Sequence, residues 1–559
     1  MPMNRKWWKE TVIYQVYPRS FKDSDGNGVG DLKGILSKLD YISSLGVDTI
    51  WLNPIYASPG EDNGYDISDY RAVDPQYGTM DDLQRLIDEL HGRKMRVIMD
   101  MVVNHTSDQH EWFRSARQSR EDPHYAWYHW WPAEKGEPPY RCGFFDPKGK
   151  AWEFNAATNS YYLHYFSPRQ PDLNWENAEL RGQIYEMLRF WLAKGVDGFR
   201  MDAITFISKD PRWPEITAET LKEKFDGDWG NYYASGPKLH EYLREMRAAV
   251  VDGDAIIIGE SSGVSAEKAP ELVAEDRKEL NMIYQFEGIM IGYLPGEFKK
   301  VDPKGWSLVK FKDVYTRWDG ALEGKGWNTL YLGNHDQPRM VSRWGDDSDE
   351  FRAVSAKLLF TFLLTMRGTP SLYNGDELGM TNIRFERIDD YQDIETREKY
   401  EQVRQNGGDT EGFLKDQQLA ARDNSRTPFQ WNGGPHAGFT DGEPWIAINA
   451  NHRVINVAAQ EGDQESVLAY VRQLVRLRRE RKVLVYGEYR LLDPDDAQVY
   501  AYERWDERER VLVLLNFSGR ERVYGCGEKG KVLVNNYREL LSDEGGVRLQ
   551  PWQAVVIAV

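Results

Sequence analysis

Eight short β-rich apolar runs, separated by stretches of helical spacing, constrain this chain more than any other feature. The runs fall at 12–18, 49–55, 96–103, 198–203, 255–259, 282–286, 330–333 and 371–373. Between them, 32–45, 80–92, 180–194, 239–250 and 351–365 place apolar residues at helical intervals. A strand that returns to its sheet through a helix must pair in parallel, and eight such units predict a (β/α)8 TIM barrel of the α/β class.

Two intervals are too long for plain loops. Residues 106–175 follow the third run and are rich in Trp, Tyr, Phe, Pro and Gly, as a small inserted domain would be. Residues 377–461 follow the eighth run and mix a charged helical stretch with a Gly/Pro-rich one, before a last barrel helix at 466–481. From 483 onward, alternation such as Val499-Tyr500-Ala501-Tyr502-Glu503 predicts an antiparallel β-sandwich. The expected division is a catalytic barrel at 1–105 and 176–482, an inserted domain at 106–175 and a C-terminal β domain at 483–559.

Composition narrows the partners. A chain of 559 residues with 41% hydrophobic residues can bury a large core, and its net charge of −18 repels phosphate backbones, which argues against nucleic acid. No apolar run approaches the roughly 20 residues that would cross a bilayer, so no membrane partner is expected. The start, Met1-Pro2-Met3-Asn4-Arg5-Lys6, lacks the apolar core of a signal peptide. Two distant cysteines, Cys142 and Cys526, predict no disulfide framework and a cytoplasmic location.

Active sites of such barrels gather at the carboxyl ends of the strands. Here those ends read Asp100-Met101-Val102-Val103-Asn104-His105, Arg200-Met201-Asp202, Gly259-Glu260 and Asn334-His335-Asp336. A single carboxylate after a strand is more often a helix cap. Asp202, Glu260 and Asp336, three carboxylates closing these runs with histidine and arginine partners on one rim, are harder to read as structure alone. Nothing in the histidine or cysteine spacing supports a zinc site among them.

A separate motif lies near the N-terminus. Asp23, Asp25, Asn27 and Asp31 place oxygen ligands at alternate positions, Gly28 takes the sixth and Val29 offers a backbone carbonyl, as in the opening of an EF-hand calcium loop. Gly34 stands where a bidentate glutamate would complete that loop. The competing reading is a Gly/Asp turn leading into the first helix.

These strand ends resemble the signature regions of the α-amylase superfamily, family 13 of the glycoside hydrolases. A fifth signature is present as Gln170-Pro171-Asp172-Leu173-Asn174-Trp175. Tyr14-Gln15-Val16-Tyr17-Pro18, Asn63-Gly64-Tyr65-Asp66 and the stretch 421–431 are similar to the oligo-1,6-glucosidase and α-glucosidase branch. The resemblance implies a retaining hydrolase in which Asp202 is the nucleophile, Glu260 the general acid/base and Asp336 the carboxylate that grips sugar hydroxyls. Those first two carboxyls should stand about 5–5.5 Å apart, and Arg200, on the same face of its strand, should hold Asp202 ionised. His105 and His335 are implied as hydroxyl donors and Tyr65 as the platform beneath the glucose.

The same resemblance implies that Asp62 and Arg426 close the pocket and read the non-reducing end, with Arg422 a competitor for that role. It also gives Ala203 meaning: valine after the nucleophile accompanies α-1,6 preference, and a smaller side chain accompanies α-1,4. The expected substrates are therefore maltose-like, then isomaltose-like oligosaccharides, with sucrose a further candidate. A structural Ca2+ (or Mg2+) in the Asp23–Asp31 loop is implied, with no organic cofactor. The rival readings are an isomaltase, a sucrose isomerase, a trehalose-6-phosphate hydrolase and an inactive sugar-binding relative. The last is disfavoured because all three carboxylates are present.

Overall fold

The computed structural model describes residues 5–146, 148–215, 217–225, 229–251, 253–525, 530–543 and 546–559. Its centre is an eight-stranded parallel sheet curled into a barrel. The strands are β1 (Ile13–Val16), β2 (Thr49–Leu52), β3 (Arg96–Val102), β4 (Gly198–Asp202), β5 (Ile256–Ser261), β6 (Met282–Gln285), β7 (Thr329–Leu330) and β8 (Thr369–Tyr373). They pair in the order β6-β5-β4-β3-β2-β1-β8-β7. Side chains bridge the two end strands: Thr329 Oγ1 donates to the Ile283 carbonyl at 2.7 Å, and Tyr331 Oη to that of Gln285 at 2.5 Å.

Each strand alternates its side chains between two cores, as a pleated backbone must. Ile13, Trp51, Ile98, Ile256, Ile258, Met282 and Tyr284 meet in the barrel interior. Tyr14, Ile50, Leu52, Val97, Met99, Phe199, Met201, Ile257 and Ile283 join the core shared with the surrounding helices. Trp8 and Trp327 pack with the interior set from below. Asp100, Arg200, Asp202 and Glu260 continue the inward parity of Ile98, Ile256 and Ile258, so the rhythm that fills the barrel floor delivers charge at its mouth. Gly198 is needed at the start of β4, where φ is +158° and a Cβ would lie 2.4 Å from the Ile256 carbonyl oxygen.

The helices follow their expected spans closely. Helix Met80–Gly92 opens with a capping box between Thr79 and Asp82, and helix Leu239–Val250 buries Leu239, Tyr242, Leu243, Met246 and Val250 on one face. The 32–45 stretch divides into Leu32–Leu36 and Leu39–Ser44, because Lys38 leaves helical geometry at φ −115°, ψ 9°. Helix Arg352–Thr365 is buried on every side from Ser355 onward, as a helix held between the barrel and a further layer must be.

That layer is the C-terminal domain. Strands Glu488–Leu492, Val499–Trp505, Arg510–Asn516, Ala554–Ala558 and Lys531–Asn535 form one antiparallel sheet, and Arg522–Tyr524, Gly546–Leu549 and Leu541–Asp543 a second. Val499, Ala501, Leu512, Leu514, Val555 and Ile557 face Val547 and Leu549 between the sheets. The alternate residues Tyr500, Tyr502, Val511, Val513 and Val556 join the main core. After β3, the chain builds a small antiparallel sheet from Trp130–Pro132, Ser160–Leu163 and Trp152–Asn155. Bridges between His105 and Asp172, and between Tyr128 and Leu173, tie its ends to the barrel mouth. Cys142 carries a free thiol; Cys526 lies outside the described residues.

Candidate active site

Two charge clusters converge at the carboxyl end of the barrel. The first is built on Arg200. Met201 pairs with Gly259 in the parallel register of β4 and β5, so Asp202 and Glu260 leave the barrel side by side. Arg200 binds both: Nη1 reaches Asp202 Oδ1 at 2.7 Å and Nη2 reaches Glu260 Oε1 at 2.8 Å. Its Nη1 also meets Asp100 Oδ1 at 2.9 Å. Two carboxylates held by one guanidinium share one cavity.

Three carboxylates on one buried cation leave excess negative charge. Burial and the charge on Glu260 push the Asp202 carboxyl well above its usual range, and Arg200 only partly opposes them. The expectation that Arg200 alone would hold Asp202 low is thus corrected: the cation is divided three ways. Asp100, fully buried, is likewise pushed up to about 6 by burial against the pull of Arg200. Beside this cluster, the Ala203 N–H donates to Glu260 Oε2 at 2.8 Å. That donor is aimed by a left-handed backbone, with Ala203 at φ 44°, ψ 31°.

Tyr65 lies parallel to His335, with ring centroids 5.3 Å apart. Its hydroxyl donates to Asp100 Oδ2 at 2.8 Å and meets His335 Nε2 at 2.6 Å. Gln15 Nε2 lies 2.8 Å from His335 Nδ1; as an amide nitrogen it donates, so Nε2 carries the His335 proton. That proton is shared between Tyr65 and Asp336 Oδ2, the latter 3.0 Å away. His105 Nε2 stands 3.1 Å from the Tyr65 carbonyl. Burial lowers both histidines to about 4, so each is a neutral imidazole at physiological pH.

The second cluster corrects a residue. Arg422, not Arg426, pairs with Asp62, Nη2 to Oδ1 at 3.2 Å. Arg422 also reaches Asp336 at 3.2 Å, Asp393 with Nε at 2.8 Å and Glu395 at 3.4 Å. Arg426 sits beneath, almost wholly buried, donating to the His335 carbonyl at 2.8 Å and to Asp336 at 2.9 Å. It holds Asp336 in place rather than closing the pocket. Burial raises the Asp336 carboxyl, but His335, Arg422 and Arg426 outweigh it and hold it well below the usual range. Asp62 has a quarter share of its arginine, and burial pushes it up to about 7.

Several participants were not named as site residues from the sequence, although Gln170 opens the fifth signature. Asp393 caps helix Ile394–Gln405 through the N–H groups of Glu395 and Thr396, an ordinary role that hides its grip on Arg422. Gln170 Nε2 supports Asp62 Oδ2 at 3.2 Å. The Phe145 ring lies 5.1 Å from the Arg422 guanidinium, and Phe166 packs against His105 with centroids 4.9 Å apart.

The Asp23 loop stands apart from the cleft. Carboxylate oxygens of Asp23, Asp25 and Asp31 approach within 4.8 Å of one another, and among the described residues no lysine or arginine pairs with them. Asp23 receives the N–H groups of Asp25, Gly26 and Gly28, which curl the backbone around it. At Gly28, φ is +89° and a Cβ would fall 1.8 Å from the Glu443 carbonyl oxygen. A turn with uncompensated acids and no room for a side chain fits a hard cation.

Comparison with known proteins gives concordant matches. The alpha-amylase catalytic-domain family model matches residues 15–487. The oligo-1,6-glucosidase of Parageobacillus thermoglucosidasius is 46% identical, with 100% of each chain covered. The trehalose-6-phosphate hydrolase of Bacillus subtilis (strain 168) is 42% identical over 98% of each. An isomaltulose synthase variant from Erwinia rhapontici NX5, solved with its natural substrate sucrose, is 41% identical and superposes with a TM-score of 0.95 over 99% of each chain.

Proposed function

This chain belongs to the α-amylase family of glycoside hydrolases, and on that premise we propose that it is a retaining, exo-acting α-glucosidase. It removes terminal non-reducing α-linked glucose from short saccharides, with α-1,4 favoured over α-1,6. One observation carries the reading: the Asp62–Arg422 pair joins Asp336 within a single buried network beside the Asp202–Glu260 pair. A charged wall next to the reacting bond suits one terminal glucose and bars a longer chain.

The chemistry follows from the carboxylates. Asp202 attacks the anomeric carbon as Glu260 gives a proton to the departing glycosidic oxygen, leaving a glucosyl ester on Asp202. Water then attacks that carbon, Glu260 takes its proton, and Asp202 leaves. In the substrate-free enzyme Asp202 is the group pushed toward its neutral form, whereas attack requires it ionised. Substrate entry must therefore favour the Asp202 anion. A glycosidic oxygen that draws Glu260 away from Arg200 and Ala203 leaves Arg200 free to stabilise the Asp202 anion. Asp336 receives sugar hydroxyls, and Tyr65 backs the ring.

For the Asp23 loop we propose a structural Ca2+ or Mg2+ held by Asp23, Asp25, Asn27, the Val29 carbonyl and Asp31, with no part in the reaction. Among the described residues no helix is long and apolar enough to cross a membrane, and a cytoplasmic enzyme remains our proposal for location.

Initial rates on maltose, isomaltose, sucrose, trehalose-6-phosphate and starch, measured side by side, test the reading. Maltose should lead and starch should be nearly inert. An isomeric disaccharide from sucrose would convert the assignment to an isomerase, and a preference for trehalose-6-phosphate would remove it.

A further inference from the structure

A second acidic group, unconnected to the Asp23 loop, lies in the small sheet after β3. Asp146, Glu153 and His164 each offer a ligand atom, and these atoms lie within 4.8 Å of one another. Glu153 comes from strand Trp152–Asn155, His164 directly follows strand Ser160–Leu163, and Asp146 comes from the loop before them.

His164 is the informative member. Its Nδ1 lies 3.0 Å from the Phe166 carbonyl, which can only accept, so Nδ1 carries the proton and Nε2 presents a lone pair. That Nε2 is buried without a hydrogen-bond partner among the described residues. It faces Asp146 Oδ2 at 4.0 Å, too far for a hydrogen bond. An orphaned buried acceptor facing two carboxylates, themselves acceptors, calls for a donor or a cation between them. Lys148 Nζ stands 3.7 Å from Glu153 Oε2 on an exposed side chain, but makes no hydrogen bond to His164.

We propose that Asp146, Glu153 and His164 form a binding site for a first-row divalent cation, zinc above all. Zinc binds imidazole nitrogen and carboxylate oxygen at about 2.0–2.2 Å, so two donors roughly 4 Å apart can share one ion, and Glu153 turns inward to complete the set. Calcium and magnesium prefer all-oxygen shells. The Phe166 carbonyl orients the imidazole, as second-sphere acceptors do at zinc sites. Three protein donors leave a fourth position for water.

The site bears on the pocket wall. Asp146 follows Phe145, whose ring covers Arg422, and His164 leads into Phe166, which packs on His105. An ion here stitches together the two segments that carry those rings.

Tag-free protein is stripped with a chelator, reloaded with zinc and compared with Glu153→Gln and Asp146→Asn by zinc titration against a chromophoric chelator. Folding is checked by circular dichroism. The expected result is one zinc per wild-type chain, bound at least tenfold more weakly by Glu153→Gln, whose half-exposed position leaves the fold intact. Cobalt-loaded wild type should show visible bands of four-coordinate cobalt that Glu153→Gln lacks. No stoichiometric zinc in wild type, or equal affinity in the folded Glu153→Gln protein, overturns the assignment.

Discussion

Ala203→Val tests the linkage assignment where local geometry is most demanding. Ala203 is 3% exposed and packs with Tyr165, Phe206 and Tyr233. Its φ of 44° is left-handed, a region that costs a non-glycine residue roughly 1–2 kcal/mol and suits β-branched residues least. Two added methyl groups in a packed cluster cost about another 1–3 kcal/mol. Alanine already bears the backbone cost, so the packing term of about 1–3 kcal/mol sets the change, a thermal midpoint lower by about 1–3 °C for a chain of this length unfolding in one transition. The functional effect is separate. Since the Ala203 N–H holds Glu260 at 2.8 Å, a larger side chain shifts the acid and the wall beside the leaving sugar together. Discrimination of this kind is worth about 1–3 kcal/mol, a change of about 5- to 150-fold in the ratio of kcat/KM for isomaltose to that for maltose. Both ratios come from initial rates at 25 °C, with calorimetry on the same preparations. Ala203→Gly serves as the control: it relieves the backbone strain and should leave the midpoint unchanged or higher, without gaining on isomaltose. A folded Ala203→Val enzyme whose ratio stays within twofold of wild type refutes the linkage argument.

Asp202→Asn should lose several orders of magnitude in kcat while keeping or raising the thermal midpoint, since the charge it removes is one that burial disfavours; near-normal turnover excludes Asp202 as nucleophile. Arg422→Gln strips charge from four carboxylates, two of them fully or almost fully buried. It should lower kcat/KM on maltose by about 10²- to 10³-fold, the scale of an uncompensated buried charge; an unchanged constant would dissociate the Asp62–Arg422 pair from substrate reading. Above about pH 6.5 the lowered histidines no longer differ much from the unfolded chain, and calorimetry from there to pH 8 should show stability falling as pH rises. Asp62 and Asp376 are raised by burial to about 7 in the fold against about 3.9 when unfolded, so the folded state holds the extra protons over that window and loses stability as they leave. Asp62→Asn should flatten the fall, and a slope identical to wild type would show that Asp62 titrates normally. Chelation should lower the midpoint of wild type but not of Asp31→Asn; no shift at any chelator concentration favours a simple turn in the Asp23 loop.

The barrel was legible because its signals are local. Strand and helix periods differ, and the eight apolar runs meet the eight strands with offsets of a few residues at their ends. Inward parity then places Asp100, Arg200, Asp202 and Glu260 with no further information. What the sequence could not resolve depends on distances across the chain. Arg422 and Arg426 are one helical turn apart around Asp423–Arg426, so spacing points both toward the same acids. Only the fold shows Arg422 at Asp62 and Arg426 beneath His335. The direction of the Asp202 shift was hidden for a similar reason. An adjacent arginine argues for a low value, but the balance is set by burial and by Glu260, 58 residues further along the chain.

Charge counting across the two clusters gives the cleft its chemical character. Asp62, Asp100, Asp202, Glu260, Asp336, Asp393 and Glu395 meet Arg200, Arg422 and Arg426, with Lys299 contributing through Glu395 at 2.8 Å. Acids outnumber bases, and the surplus appears as raised carboxyl groups at Asp62, Asp100 and Asp202. Such a site is short of proton donors. A neutral sugar supplies them as hydroxyl groups, whereas an anionic group entering the same pocket would add charge to a region already unable to ionise fully. The upward push on the Asp202 carboxyl, from burial and from the charge on Glu260, is a product of that imbalance. The crowding of acids thus raises the proton affinity of carboxyls around the cleft, to about 7 at Asp62 and about 6 at Asp100, above the range in which isolated carboxyls lose their protons.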